Sequence, residues 1–112
     1  MHYKICKKNN NRLVTNKILE NTGFENITQI FEKRYYKEGY DIDDYASYIF
    51  CTDKIDKKNP IKIYIDNSLT NSGRKWNVRV DNKDCCSIGS AEVDTVYQFN
   101  ILMKLFDSEL RL

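Results

Sequence analysis

The amino-acid sequence predicts an α+β domain with an N-terminal helix, an antiparallel sheet of about four strands, and a C-terminal helix packed on one face. Three observations predict it. Ile61, Ile63 and Ile65 alternate with polar-tipped residues, and Trp76, Val78 and Val80 repeat the alternation after a connection over Asn67–Lys75 that contains the loop residues Asn71-Ser72-Gly73. Both flanks of this hairpin carry apolar residues at helical spacing, at 13–19 and again at 96–110. Helices at the two ends of a run of strands place an antiparallel sheet between them.

Near the N-terminus, Leu13, Val14, Ile18 and Leu19 mark one face of a short helix over 11–23. Gly23 is placed to close it in the left-handed conformation, with Phe24 packing back on the apolar face. Over 25–37, Ile27, Ile30, Phe31 and Tyr35 fit a helical stripe, but β-branched and aromatic enrichment favours a strand. Gly39 with Asp41-Ile42-Asp43-Asp44 reads as a turn, Tyr45–Thr52 as a strand and Asp53–Pro60 as a charged loop. After the hairpin, Asp81–Asp84 reads as a turn and Ser87-Ile88-Gly89 as a short edge strand. The last helix runs from about Asp94 to Phe106, with Asp94 or Ser90 as its N-cap. Its buried stripe is Val96, Phe99, Met103, Phe106 and Leu110, widened by Leu102.

A chain of 112 residues is sized for one domain, residues 1–112, around one modest core. With 41% hydrophobic and 12% aromatic residues it has the means to fold, and one Pro with four Gly leaves little room for linkers. No apolar leader or membrane-length run is visible, so the expected address is the cytoplasm and the expected state of Cys6, Cys51, Cys85 and Cys86 is free thiol. A net charge of +2 is no nucleic-acid signature. Abundant Lys, Asn and Ile all use A/T-rich codons, so base composition accounts for part of the lysine content.

Catalytic constellations are sparse. His2 is the one histidine, which leaves no base for a histidine-activated nucleophile beyond the terminus. Asp66, Asp81 and Lys83 could form a metal-dependent nuclease core if the hairpin brought them together, but Asn82 reads as a turn residue where such a core needs an apolar strand residue. From Asp81 to Glu92 the spacing imitates a calcium loop, yet Lys83 takes a ligand position and Cys86 replaces the required Gly. Cys85-Cys86 lacks the spacer with which two thiolates grip zinc alongside Cys6 and Cys51. No metal or cofactor is expected, which leaves ordinary thiols or a redox or intermolecular role for the pair.

Two binding sets stand out. Lys33, Arg34, Tyr36, Arg74, Lys75, Trp76 and Arg79 interleave cations with rings, as a single-stranded nucleic-acid surface does. Tyr40, Tyr45, Tyr48 and Tyr64 are expected to be exposed beside Asp41, Asp43 and Asp44, and such an acidic aromatic patch suits a protein partner with a basic groove.

The ends of the chain carry a resemblance. Ile18-Leu19-Glu20-Asn21-Thr22-Gly23-Phe24-Glu25 and Thr95-Val96-Tyr97-Gln98-Phe99-Asn100-Ile101-Leu102 with Glu109-Leu110 resemble the opening and closing helices of a group of small phage and mobile-element proteins. Tyr97 stands where those relatives carry His, and Asn100 where they carry a second Gln. The likeness covers about a third of the chain and implies a helix, antiparallel strands, helix fold and a phage-like origin, with no functional residue carried over. By analogy it implies an accessory protein that inhibits a host defence nuclease or its guide-RNA complex, in the manner of anti-CRISPR proteins, with a host protein or ribonucleoprotein as partner. A small RNA- or DNA-binding module is the alternative, and the nuclease a minor one.

Overall fold

The computed structural model describes residues 1–6, 12–28, 46–70 and 73–112, with the side chains of 68–70, 73 and 74 excepted. In chain order the elements are β1 (His2–Tyr3), α1 (Asn16–Thr22), β2 (Glu25–Asn26), β3 (Ser47–Cys51), β4 (Lys62–Thr70), β5 (Gly73–Asp81), β6 (Ser87–Val93) and α2 (Val96–Leu105). All described strands join one sheet of order β1-β6-β5-β4-β3-β2. β1 runs parallel to β6 and every other pair is antiparallel.

This corrects the expected four-stranded antiparallel sheet with a flanking N-terminal helix. The chain is mostly sheet, and its described helices are two short ones. One strand escaped because it spans two residues, too few to show a period: His2–Tyr3 pairs with Ser90–Ala91. Glu25–Asn26 pairs with Ile49 and Tyr48. The strand expected over 25–37 is therefore strand at 25–26, where the Asn26 side chain then accepts the Thr28 amide at 2.9 Å and turns the chain; 29–37 lie outside the described residues. β6, expected as an edge of three residues, spans seven between β1 and β5. Ser, Gly and Ala weaken its strand signal. Gly89 is required there because a Cβ would collide with the rings of Phe106 and Tyr3, which meet edge to face at 5.7 Å.

The N-terminal helix is shorter than expected. Thr15 caps it through the Ile18 amide at 3.2 Å, and Gly23 closes it at φ 110°. Leu13 and Val14 are extended instead, because the Val14 amide donates to the Asp94 carbonyl at 3.0 Å and Leu13 bridges Thr95. At α2 the N-cap is Thr95 and not Asp94 or Ser90. Its hydroxyl accepts the Gln98 amide at 3.2 Å, while Gln98 Oε1 accepts the Thr95 amide at 3.0 Å.

The β4–β5 hairpin sets the core. Its register pairs Ile63 with Val80 and Ile65 with Val78, so all four side chains point to one face and are buried. Tyr48 of β3 and Ala91 of β6 extend the inward row. Leu19 and Phe24 at α1, and Val96, Phe99, Leu102 and Met103 of α2, cover that same face in one cluster. Each large apolar side chain moved there from water contributes about 1.5–3 kcal/mol.

Past α2, one carboxylate fastens the C-terminal segment. Asp56, on the β3–β4 loop, accepts the Ser108 hydroxyl at 2.6 Å and the Glu109 amide at 3.0 Å, while Leu110 is buried alongside. Partial burial pushes the Asp56 carboxyl up, but hydrogen bonds from Ser108, Glu109 and Thr52 and the charge of Arg111 outweigh it, and the pKa falls below the usual value. Because the folded pKa is the lower one, this stabilisation is present above the unfolded value of about 3.9 and is lost as pH falls through the folded value. Asp56→Asn should cost about 1 kcal/mol in urea unfolding at neutral pH. The gap between variant and wild type should close in acid; a gap unchanged by acid would contradict the latch.

Candidate functional site

Strand alternation makes the opposite face of the sheet as polar as the core face is apolar. With Ile63 and Ile65 inward, Lys62, Tyr64 and Asp66 point outward. Their partners Asp81, Arg79 and Asn77 on β5 point the same way. A cross-strand row runs His2, Ser90, Arg79, Tyr64, Ile49, and a second runs Glu92, Asn77, Asp66, Ser47. The buried apolar side chains of the two described helices, Leu19, Val96, Phe99, Leu102 and Met103, belong to the cluster on the other side.

Arg79 organises the centre of this face. Its guanidinium lies 4.3 Å from the centroid of the Tyr64 ring, and its Nε donates to Asp81 Oδ1 at 3.2 Å. The Asp81 side chain is 8% exposed and that of Arg79 is 54% exposed, so a sheltered carboxylate props a cation that still faces solvent. To one side His2 Nδ1 and Ser90 Oγ are 3.2 Å apart, and to the other Asn77 Nδ2 donates to Asp66 Oδ1 at 3.5 Å. His2, Asp66, Asn77, Arg79, Ser87 and Ser90 are among the residues that line a shallow depression of about 320 Å³. Arg, Tyr, His and amide groups in one open plane can make hydrogen bonds and stacking contacts with a flat partner surface.

A wider cleft of about 710 Å³ lies at one end of the sheet, among the 53–60 loop, the 82–84 turn and the C-terminal segment. Lys57, Lys58 and Lys83 are mixed there with Asp84, Asp107 and Glu109, and Asp56 is already committed to the tail.

The expected site residues divide. Lys33, Arg34, Tyr36, Tyr40, Asp41, Asp43, Asp44 and Tyr45 lie outside the described residues, as does the side chain of Arg74, whose backbone on β5 pairs with Leu69 of β4. Lys75, Tyr64 and Arg79 belong to the outward set. Trp76 does not. Its ring is buried, and its Nε1 donates to the Val14 carbonyl at 3.1 Å, so it cannot stack on a base.

Tyr48 is likewise corrected from interface to core. It is fully buried, and its hydroxyl donates to Glu20 at 3.1 Å. Burial, then the Glu20 hydrogen bond and charge, push its pKa up to about 12. Both corrections have one cause: strand parity decides which rings face inward, and a ring's chemistry does not.

Nor does the nuclease constellation assemble. Asp66 pairs with Asn77 while Asp81 pairs with Lys62, four positions along the strand, or about 13 Å. One metal cannot bridge that span. Among the described residues no group of three or more His, Cys, Asp or Glu side chains could hold a metal ion. No described helix is long and apolar enough to cross a membrane.

His2, Ser90, Asn77 and Ile49 join the face although no motif singled them out. The alternation of β5, with Trp76, Val78 and Val80 inward, is the one signal that points to Asn77; the others depend on pairings distant in sequence. Thermal unfolding should separate the two faces. Arg79→Ala, at a side chain 54% exposed, should cost the smaller amount, about 1 kcal/mol. Trp76→Ala should cost about 3–5 kcal/mol. Equal losses would contradict this assignment of core and surface. The chain matches no protein-family model, no curated protein and no solved structure.

Proposed function

We propose that this protein acts by binding, as a phage or mobile-element accessory protein that occupies a host defence nuclease or its guide-RNA complex and blocks it stoichiometrically. The observation that supports a binding role is Arg79, held between Tyr64 and Asp81 on the outward face of the sheet with 54% of its side chain exposed. Arg and Tyr are the residues that anchor interfaces. An anchor fixed before binding loses less side-chain freedom, a saving of about 0.5–1.5 kcal/mol per immobilised side chain.

Charge favours a protein surface over a bare phosphate backbone. The described outward residues include Lys62, Lys75 and Arg79 against Glu25, Asp66, Asp81 and Glu92. A face of both signs matches a mixed protein surface and would repel part of a polyphosphate. The nucleic-acid reading also loses Trp76, its largest stacking ring, to the core.

Titration of the purified chain into guide-RNA-programmed nucleases cutting a matched plasmid tests the reading. Inhibition should saturate at a fixed molar ratio to one of them, and Arg79→Ala should weaken it by about 30-fold, the loss of a strong anchor. If no programmed nuclease is inhibited, or inhibition needs only trace amounts of the chain, the proposal fails. A salt-sensitive shift of single-stranded oligonucleotides would move the assignment to nucleic-acid binding.

A further inference from the structure

Cys85 and Cys86 stand apart from the binding face, on the turn between β5 and β6. Asn82 brackets that turn. Its side-chain oxygen accepts the amides of Asp84 at 2.9 Å and Cys86 at 3.0 Å, and its backbone pairs with Cys85 and Cys86 at 3.0 and 2.9 Å. Cys85 is left-handed at φ 63°, a conformation that Gly, Asn or Asp adopts far more readily. Both thiols are exposed.

We infer that Cys85 and Cys86 form a redox-active pair that a low-molecular-weight disulfide converts into a vicinal disulfide. The Cys85 thiolate attacks glutathione disulfide, forming a mixed disulfide and expelling one glutathione thiolate. The Cys86 thiolate then attacks the Cys85 sulfur, closing the ring and expelling the second. Two protein thiols lose two protons and two electrons, and one glutathione disulfide becomes two glutathione thiols.

Geometry makes the product easily reversed. Adjacent Cα atoms are held about 3.8 Å apart across a trans peptide, below the span of about 4.4–6.8 Å that ordinary disulfides use. A strained, exposed disulfide is reduced more readily than a structural one, as befits a switch and not a staple. Cys6 and Cys51 are also exposed, but neither has a neighbouring cysteine in the chain to capture a mixed disulfide.

The full-length reduced chain, incubated with glutathione disulfide and then alkylated, provides the test by intact mass and peptide mapping. The peptide carrying Cys85 and Cys86 should lose two hydrogen atoms and refuse alkylation, with no cross-linked dimer on a non-reducing gel. Reduced glutathione should restore both labels. Cys85→Ser and Cys86→Ser should each retain one glutathione on the remaining thiol. Wild-type protein that keeps glutathione on either residue, cross-links through them, or alkylates at both would overturn the inference.

Discussion

The register of the β4–β5 hairpin is the constraint on which everything else rests. With Tyr64 opposite Arg79 and Ile65 opposite Val78, alternate side chains go to opposite faces, and a slip of one residue would exchange them. In the observed register four fully or nearly fully buried aliphatic side chains form the floor on which α1 and α2 lie. In a slipped one, Arg79 of β5 or Asp66 of β4, according to which strand turned over, would enter the core, and burying such a charge is costly. Fold and candidate surface are thus two consequences of one pairing.

The outer face takes its character from how its charges are held. Asp81 is sheltered enough to act as a fixed prop, and Tyr64 gives the guanidinium a second support. Neither contact adds much stability at such exposure, and their value lies in holding Arg79 in one arrangement before a partner arrives. The residue after Asp81 is Asn82, which brackets the cysteine turn, so prop and thiol pair are close neighbours in the chain.

Legibility followed the range of each interaction. The closing helix and the inner rungs of the hairpin are local and strongly patterned, and they form where periodicity points; the strands run on through 67–70 and 73–75, which read as connecting loop, because their pairing and not their composition makes them strand. Gly23 ends α1 because a left-handed residue was needed there. What was misread is non-local. The parallel pairing of His2–Tyr3 with Ser90–Ala91 joins residues almost ninety apart, and no local pattern records it. Thr95 took the cap from Asp94 because Gln98 lies three residues on and completes the reciprocal pair. In the site, Arg79 and Tyr64 were visible as residue types, while Trp76 and Tyr48 looked equally available. Only the inward parity of their strands removes them from the surface.

Cross-strand proton contacts in isotopically labelled protein measure the hairpin register most directly. Contacts joining Tyr64 to Arg79 and Ile65 to Val78 are the expected result, with the Val78 and Val80 amides among the slowest to exchange. Contacts that pair Tyr64 with Val78 or Val80 would turn the proposed surface inward and contradict the account.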